Sequence, residues 1–110
     1  MEIKITFRGM ESSPTIEEYV NTKINKLERF LLKERSPIIL EVILDAEHVH
    51  TQHAVELRLH CADYHVRAQV SGKDLYSQVD EAFDVLLREI NEKKEKRIDA
   101  RKESDQFRKI

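Results

Sequence analysis

Glycine is scarce in this sequence, and its scarcity excludes whole classes of nucleotide-binding site. Gly9 and Gly72 are the only glycines, whereas a P-loop or a GxGxxG turn needs several glycines to bring backbone amides against phosphate groups. Serine, histidine and cysteine side chains are present, but none stands in a local signature of a nucleophilic enzyme. We therefore predict that the protein is not an enzyme, needs no cofactor and takes no small-molecule substrate.

Cysteine and long apolar runs are also scarce. The single cysteine, Cys61, cannot form an internal disulfide. No apolar run approaches the roughly 20 residues that span a bilayer, and the opening segment MEIKITFRG lacks the basic and apolar regions of a signal peptide. We expect a cytoplasmic protein that has no membrane partner.

The sequence does contain enough apolar residues for one modest core. It has 110 residues, of which 40% are hydrophobic, and this suits about one domain. Charged residues make up 36%, but their two signs are interleaved with periodic apolar positions, which argues against disorder. We predict a single domain over residues 1–97 and a flexible or frayed tail over residues 98–110, where the apolar period is lost.

The spacing of apolar residues predicts four strands. Alternation over residues 2–8, 53–61 and 64–70 is typical of half-buried strands, and residues 38–45 form a β-rich apolar run. Ala62 and Asp63 suit a tight turn, so the last two strands should form a hairpin. The polar segment over residues 46–52 is predicted to be a loop.

Two helices are predicted from apolar positions at helical spacing. Ser13 followed by Pro14 is typical of a helix start, and the apolar stripe that follows predicts an end near Lys33. Asp74 suits the N-cap of a second, longer helix. The order β-α-β-β-β-α predicts an α+β sandwich, in which a four-stranded, antiparallel-rich sheet carries both helices on one face.

Positive charge is concentrated at the end of the chain, although the formal net charge is -2. Residues 37–87 carry 3 basic and 9 acidic residues, whereas residues 88–110 carry 9 basic and 6 acidic ones. Beyond Ile90 the apolar stripe of the second helix lands on basic residues, so we expect its last turns to project past the sheet with a basic face. Side by side, the two helices could share a groove, although the basic side chains near it do not all point the same way. These residues are Lys23, Lys26, Arg29, Arg88, Lys93, Lys94, Lys96 and Arg97.

This basic groove has two interpretations. Lysine and arginine near a helix C-terminus are favoured by the helix dipole, and Glu89, Glu92 and Glu95 could pair with them on a solvated face. The alternative is a site for a polyanion. Basic runs are weak motifs, and spacing alone leaves both interpretations open.

Histidines are numerous enough to raise the question of a metal site. His48, His50 and His53 fall close together at one turn. Zinc sites usually take three or four ligands, with help from cysteine or carboxylate. We predict no metal site and expect these histidines to be polar loop residues, with Cys61 a buried small hydrophobe.

Three segments resemble the ribosome hibernation promoting factor and ribosome-associated inhibitor A family, and the resemblance covers about residues 2–97. They are the first strand leading to SSPTIEEYV, the helix segment TKINKLERF, and GKDLYSQVDEAFDVLLREI at the start of the last helix. The length of the chain is similar to the short forms, which lack a second domain. The third segment is the most specific. Family members typically show Asp, Met or Leu, and Tyr in a row, followed two residues later by Ile or Val and then Asp or Asn. This chain has Asp74, Leu75, Tyr76, Val79 and Asp80 at these positions.

The resemblance implies a fold similar to a double-stranded RNA-binding domain and a factor that docks on the small ribosomal subunit. It implies binding to ribosomal RNA near the decoding centre and steric blocking of the messenger and transfer RNA path in stationary phase or stress. Charge and shape suffice for such binding, and the eight basic residues of the predicted groove are the implied contacts. Two positions of the last helix that are commonly basic in the family are Val85 and Glu92 here.

Other expectations concern partners and the motif residues. We expect a monomer when free, Asp74 as a helix cap and Tyr76 as a packing residue. The tail over residues 98–110 is intermediate in length and mixed in charge, so promoting and blocking the pairing of ribosomes both stay open. The runner-up hypothesis is a protein-binding adaptor that uses the acidic middle of the chain and the exposed sheet face.

Overall fold

A computed structural model describes the backbone of residues 1–47 and 52–108 and the side chains of residues 1–46 and 52–97. The elements are, in order, β1 (Glu2–Arg8), α1 (Pro14–Phe30), β2 (Ile39–Glu47), β3 (Gln52–His60), β4 (His65–Gly72) and α2 (Leu75–Arg108). This confirms the β-α-β-β-β-α order predicted from the apolar spacing.

The strands form one mixed sheet in the order β1-β2-β3-β4. β1 lies parallel to β2, because α1 carries the chain back between them, while β2, β3 and β4 are antiparallel neighbours. The predicted hairpin is confirmed: His60 pairs with His65, and the Cys61 amide donates to the Tyr64 carbonyl. Side chains alternate across each strand, so one face of the sheet is apolar and the other is polar.

Both helices cover the apolar face and complete a single core. The buried stripe of α1 comprises Val20, Ile24 and Leu27, and burial of such a stripe supplies most of the stability of an amphipathic helix. The stripe predicted for α2 is confirmed, since Val79, Ala82, Phe83, Leu86 and Ile90 are all buried. Cys61 is buried as predicted, and burial raises the pKa of its thiol.

The end of α1 differs from the prediction. The helix ends at Phe30 instead of near Lys33, because the chain tightens at Leu31, whose amide donates to the Glu28 carbonyl. The Glu34 amide then donates to the Leu31 carbonyl. This tighter path keeps Leu31 buried and turns the Glu34 side chain inward.

The predicted loop over residues 46–52 was too long at both ends. Ala46 pairs with His53, and Glu47 pairs with Gln52, so β2 and β3 continue into this segment. Ala46 is buried, and this burial explains why the strand continues past the predicted end. Residues 48–51 lie outside the described residues.

The second helix is longer than the sheet beneath it. With 34 residues it measures about 51 Å, whereas the 9 residues of β3 cover about 30 Å. Ile90 is the last core residue of α2, and the side chains after Arg97 lie outside the described ones. The flexible tail predicted over residues 98–110 stays a prediction.

Candidate nucleic-acid interface

The two helices lie side by side and run in the same direction along the sheet. The Lys23 ammonium is 2.8 Å from the Asp80 carboxylate, and further along both helices the Lys94 ammonium donates to the Phe30 carbonyl. The two helices are therefore neighbours, as predicted, and the cation-lined groove between them stays a prediction. We call it the interhelical groove, and its eight predicted cations fall into two groups.

Arg97 belongs to the group that is engaged within the protein. Its guanidinium forms two hydrogen bonds with Glu34, each 3.2 Å long, and a third of 3.1 Å with Asp63. It also lies 5.9 Å from the centre of the Tyr64 ring. Because Glu34 follows α1 and Asp63 forms the β3–β4 turn, Arg97 ties α2 to both connections.

Lys94 and Arg35 complete this cluster. The Lys94 ammonium lies 3.9 Å from Glu34, and Arg35 donates to Asp63. The hydrogen bond from Arg35, aided by the charge of Arg97, holds the pKa of Asp63 below its usual value. The basic continuation of the α2 stripe is therefore bound to acidic loop residues at Lys94 and Arg97. An RNA contact by these two side chains stays a prediction.

Lys23 is engaged at the other end of the groove. Asp80 accepts hydrogen bonds from the Lys23 ammonium and the Tyr19 hydroxyl, and these two bonds lower the pKa of Asp80. The same contacts raise the pKa of Lys23 and of Tyr19. The charge of Lys23 is therefore neutralised by Asp80, and this ion pair holds α1 against α2.

The second group of cations has no ion-pair partner among the side chains that the structure describes. We call its members the five open cations, and four of them are exposed, while Lys93 is half-buried. Arg88 and Lys96 are eight residues apart on α2, which places them on one side of the helix two turns from each other. Glu92 falls midway between them and reduces the local charge. The five open cations are Lys26, Arg29, Arg88, Lys93 and Lys96.

The polar face of the sheet carries charges that are paired with each other. Glu56 is 8% exposed and lies 2.8 Å from Arg58 and 2.6 Å from Arg67. Burial opposes ionisation of Glu56, but the two guanidinium groups outweigh it and lower the pKa of the carboxyl. Glu41 lies 3.8 Å from Arg58. This part of the acidic middle segment is therefore close to neutral.

The histidines do not form a metal site in the part of the chain that is described. His48 and His50 lie outside the described residues, and no three histidine, cysteine or acidic side chains converge as ligands within them. The rings of His60 and His65 meet edge to face, with centres 4.4 Å apart. The expected absence of a metal stays a prediction.

The family motif at the start of α2 places one cap and one exposed aromatic ring. The Asp74 carboxylate accepts from the Tyr76 amide at 3.2 Å and from the Ser77 hydroxyl at 2.8 Å, so the predicted cap is confirmed. Tyr76 packs edge to face on Tyr19 but keeps 39% of its surface exposed. Sequence reasoning missed this pair. The sequence does place Tyr19 one helical turn before Lys23. In the structure both side chains contact the motif residue Asp80.

The fold and the site together define a class of protein. A mixed sheet that carries two helices with open lysine and arginine side chains describes a binding module. In the described part of the chain, no helix has the length and apolar character that a membrane span needs. The chain belongs to the family described as Sigma 54 modulation protein / S30EA ribosomal protein, whose profile matches residues 3–98. This is a family of ribosome hibernation factors, which are binding proteins, and the prediction that the protein is not an enzyme is confirmed.

Individual relatives agree with this assignment. The ribosome hibernation promoting factor of Klebsiella oxytoca is 30% identical over 96 residues, which cover 87% of this chain and 96% of that protein. The crystal structure of the Thermus thermophilus protein Y N-terminal domain matches with a TM-score of 0.70 and 25% identity, covering 82% of this chain and 96% of that one. A ribosomal subunit interface protein from Coxiella burnetii has the same TM-score at 20% identity, covers 86% of this chain and 98% of that one, and shows the fold alone.

Proposed function

We propose that this protein is a ribosome hibernation factor that binds ribosomal RNA of the small subunit near the decoding centre. Bound there, it occupies the path of messenger and transfer RNA and keeps idle ribosomes inactive in stationary phase or stress. It acts in the cytoplasm, is a monomer when free, and needs no cofactor because the mechanism is steric. The names of its relatives, ribosome hibernation promoting factors, support this role.

The observation that carries the proposal is the set of five open cations. A lysine or arginine that is already paired gains little from a phosphate, whereas an open one releases counterions when it meets the RNA backbone. Lys26 and Arg29 lie on α1, and the other three lie on α2. Both helices thus offer phosphate contacts, and recognition of RNA by shape and charge can use cations from more than one helix.

Rigidity supports the steric part of the proposal. The core joins both helices to the sheet, and the cluster of Arg97 with Glu34 and Asp63 fixes α2 to two connections beyond the core. A blocking protein must resist displacement by the ligands whose path it occupies, and preorganised contacts reduce the entropy lost on binding.

Sedimentation with purified subunits tests the proposal. The protein should sediment with the small subunit, should not sediment with the large subunit, and should be released as salt rises from about 0.1 M to about 0.5 M. Preloading the small subunit with messenger and initiator transfer RNA should reduce binding, because both occupy the same path. Binding to the large subunit alone, or equal binding to preloaded subunits, would contradict the proposal.

The adaptor hypothesis receives no specific support from the sheet. An acidic docking surface needs open carboxylates, but Glu41 and Glu56 lie against Arg58 and Arg67 on the polar face. The groove of open cations is therefore the better candidate for the principal interaction surface.

A further inference from the structure

We infer that Tyr76, held by Tyr19, is a stacking platform for one unpaired nucleobase at the N-terminal end of the interhelical groove. The inference rests on the proposed function, because it assumes that the ligand is RNA. Sequence reasoning assigned RNA binding to cations alone and expected Tyr76 to pack. Tyr76 does pack on Tyr19, but 39% of the residue stays exposed beside the interhelical groove, and proteins use exposed aromatic rings to hold the bases of single-stranded RNA.

The platform is held rigidly from below. The Tyr19 and Tyr76 rings meet at 73° with their centres 5.0 Å apart, which is a favourable edge-to-face geometry. Tyr19 cannot rotate freely, because its hydroxyl donates to Asp80, which also pairs with Lys23. Tyr19 is therefore anchored, and its edge-to-face contact restrains the Tyr76 ring, although 39% of Tyr76 is exposed.

A cavity beside the two rings suits a single flat ring system. Its volume of about 270 Å³ is just below the range of about 300 to 1,000 Å³ that is usual for drug-sized ligands. The opening lies between the first two turns of α1 and the first turn of α2. It is lined by Thr15, Glu18, Tyr19, Thr22 and Tyr76.

The neighbouring open cations favour a nucleobase over a basic side chain of a protein. Lys23, which lies 5.6 Å from the centre of the Tyr19 ring, is matched by Asp80 and adds no net charge beside the rings. Lys26 is exposed further along α1 and suits the phosphate that follows the base. A nucleobase is uncharged, so placing it between Glu18 and Lys26 leaves no new charge without a partner.

Glu18 gives the cavity a preference among bases. A carboxylate accepts hydrogen bonds and cannot donate them, so it can bind the exocyclic amino group of cytosine, adenine or guanine. Uracil has no amino group, and its one edge donor, N3–H, stands between two carbonyl oxygens that would repel the carboxylate. We therefore expect the platform to select a base that carries an amino group.

Substitution of Tyr76 tests stacking separately from charge. Tyr76→Leu should weaken binding to small subunits about 5-fold to about 100-fold, the range expected for loss of one stacked base, whereas Tyr76→Phe should bind like the wild type because it keeps the ring. The unfolding midpoint in urea shows whether the leucine variant is folded. If wild-type protein does not bind small subunits, the proposed function fails. If Arg88→Gln weakens binding while Tyr76→Leu does not, the platform alone is overturned.

Short single-stranded RNAs test the ligand class directly. An oligouridine with one central 2-aminopurine should lose fluorescence on binding to wild type and Tyr76→Phe, and should keep it with Tyr76→Leu. An oligouridine with one central cytidine should bind more tightly than oligouridine itself. Glu18→Gln should remove that preference, and Glu17→Gln, which removes an equal charge outside the cavity, should retain it.

Two outcomes would overturn the assignment of a nucleobase as the ligand of the platform. One is equal loss of the cytidine preference in both glutamine variants, which would reduce the effect to general electrostatics. The other is weaker ribosome binding by Tyr76→Leu with unchanged quenching of 2-aminopurine. That result would assign the platform to a basic side chain of a ribosomal protein.

Discussion

Arg97 and Glu34, which are 63 residues apart in the chain, meet through two parallel hydrogen bonds of 3.2 Å. The Glu34 side chain is only 2% exposed, so its charge needs a permanent partner. Arg97 is therefore part of the folded structure before any ligand arrives. The basic end of α2 combines such structural cations with open ones, and the two kinds should respond differently to substitution.

Removal of the Arg97 guanidinium should destabilise the fold. Arg97→Gln leaves Glu34 buried with only Lys94, at 3.9 Å, as a charged partner. Loss of one member of a buried pair costs several kcal/mol, but Arg97 is partly exposed, so we expect about 2 kcal/mol. Urea unfolding at neutral pH measures this change.

Lys96→Gln is the matched control for Arg97→Gln. It removes a nearby positive charge on the same helix from a side chain with no ion-pair partner among the described residues. Its effect on the free energy of unfolding should stay within about 0.5 kcal/mol. Equal destabilisation by the two substitutions would contradict a structural role for Arg97.

Asp80 should make the contact between the helices sensitive to acid. Its pKa in the folded protein lies below the usual value because of Lys23 and Tyr19. Its contribution is therefore fully present above the unfolded pKa of about 3.9 and is lost as pH falls through the lower folded pKa. The Asp80 side chain is 45% exposed, which limits the contribution to about 1 kcal/mol or less.

Asp80→Asn provides the measurement. The variant should be less stable than the wild type near pH 7, and the difference should shrink as pH falls through the lowered pKa of Asp80 and the wild-type carboxyl becomes protonated. Urea midpoints at several pH values give both curves. A difference that stays constant across this range would show that the charge of Asp80 is unimportant.

Glu56 should hold together two arginines that would otherwise repel each other. Arg58 and Arg67 are directly opposite on β3 and β4, and like charges in that position destabilise a sheet. Glu56→Gln should lower the free energy of unfolding by about 1 kcal/mol, and added salt should reduce this loss by screening the arginines.

Two further variants test the Glu56 account. Glu41→Gln, which affects only the longer contact to Arg58, should have a smaller effect. Arg67→Gln should recover part of the stability when it is combined with Glu56→Gln, because the repulsion is then removed. Additive losses in the double variant would contradict this explanation.

The sequence predicts the fold well because apolar period and capping are local signals. The stripe from Val79 to Ile90 and the cap at Asp74 follow from neighbouring residues, and both are confirmed. The prediction put the end of α1 near Lys33, but the helix ends at Phe30. It ends there because the chain turns at Leu31, and this turn brings Glu34 to Arg97 on α2. Local periodicity carries no information about that contact.

The candidate site was predicted less completely than the fold. Charge counting identified the basic residues of both helices, but it could not separate Arg97, which has acidic partners from two loops, from Arg88, which has none among the described residues. Tyr76 packs on Tyr19 as predicted, but a sequence does not show how much of the residue stays exposed. Both distinctions depend on tertiary contacts.

The central claim is that open cations on the helical face bind ribosomal RNA. Arg88→Gln combined with Lys96→Gln removes two of them, and Lys4→Gln combined with Arg8→Gln removes two exposed charges of β1 on the opposite face as a matched control. Both pairs change the net charge equally and leave the core untouched.

The deciding measurement is the affinity of these two variants for small subunits over a salt series. The account predicts that the helical variant binds more weakly and that its slope of log affinity against log salt falls in magnitude by about 1.5, as expected for two lost phosphate contacts. The control should keep the wild-type slope. Equal slopes for the two variants would contradict the assignment of RNA binding to the helical face.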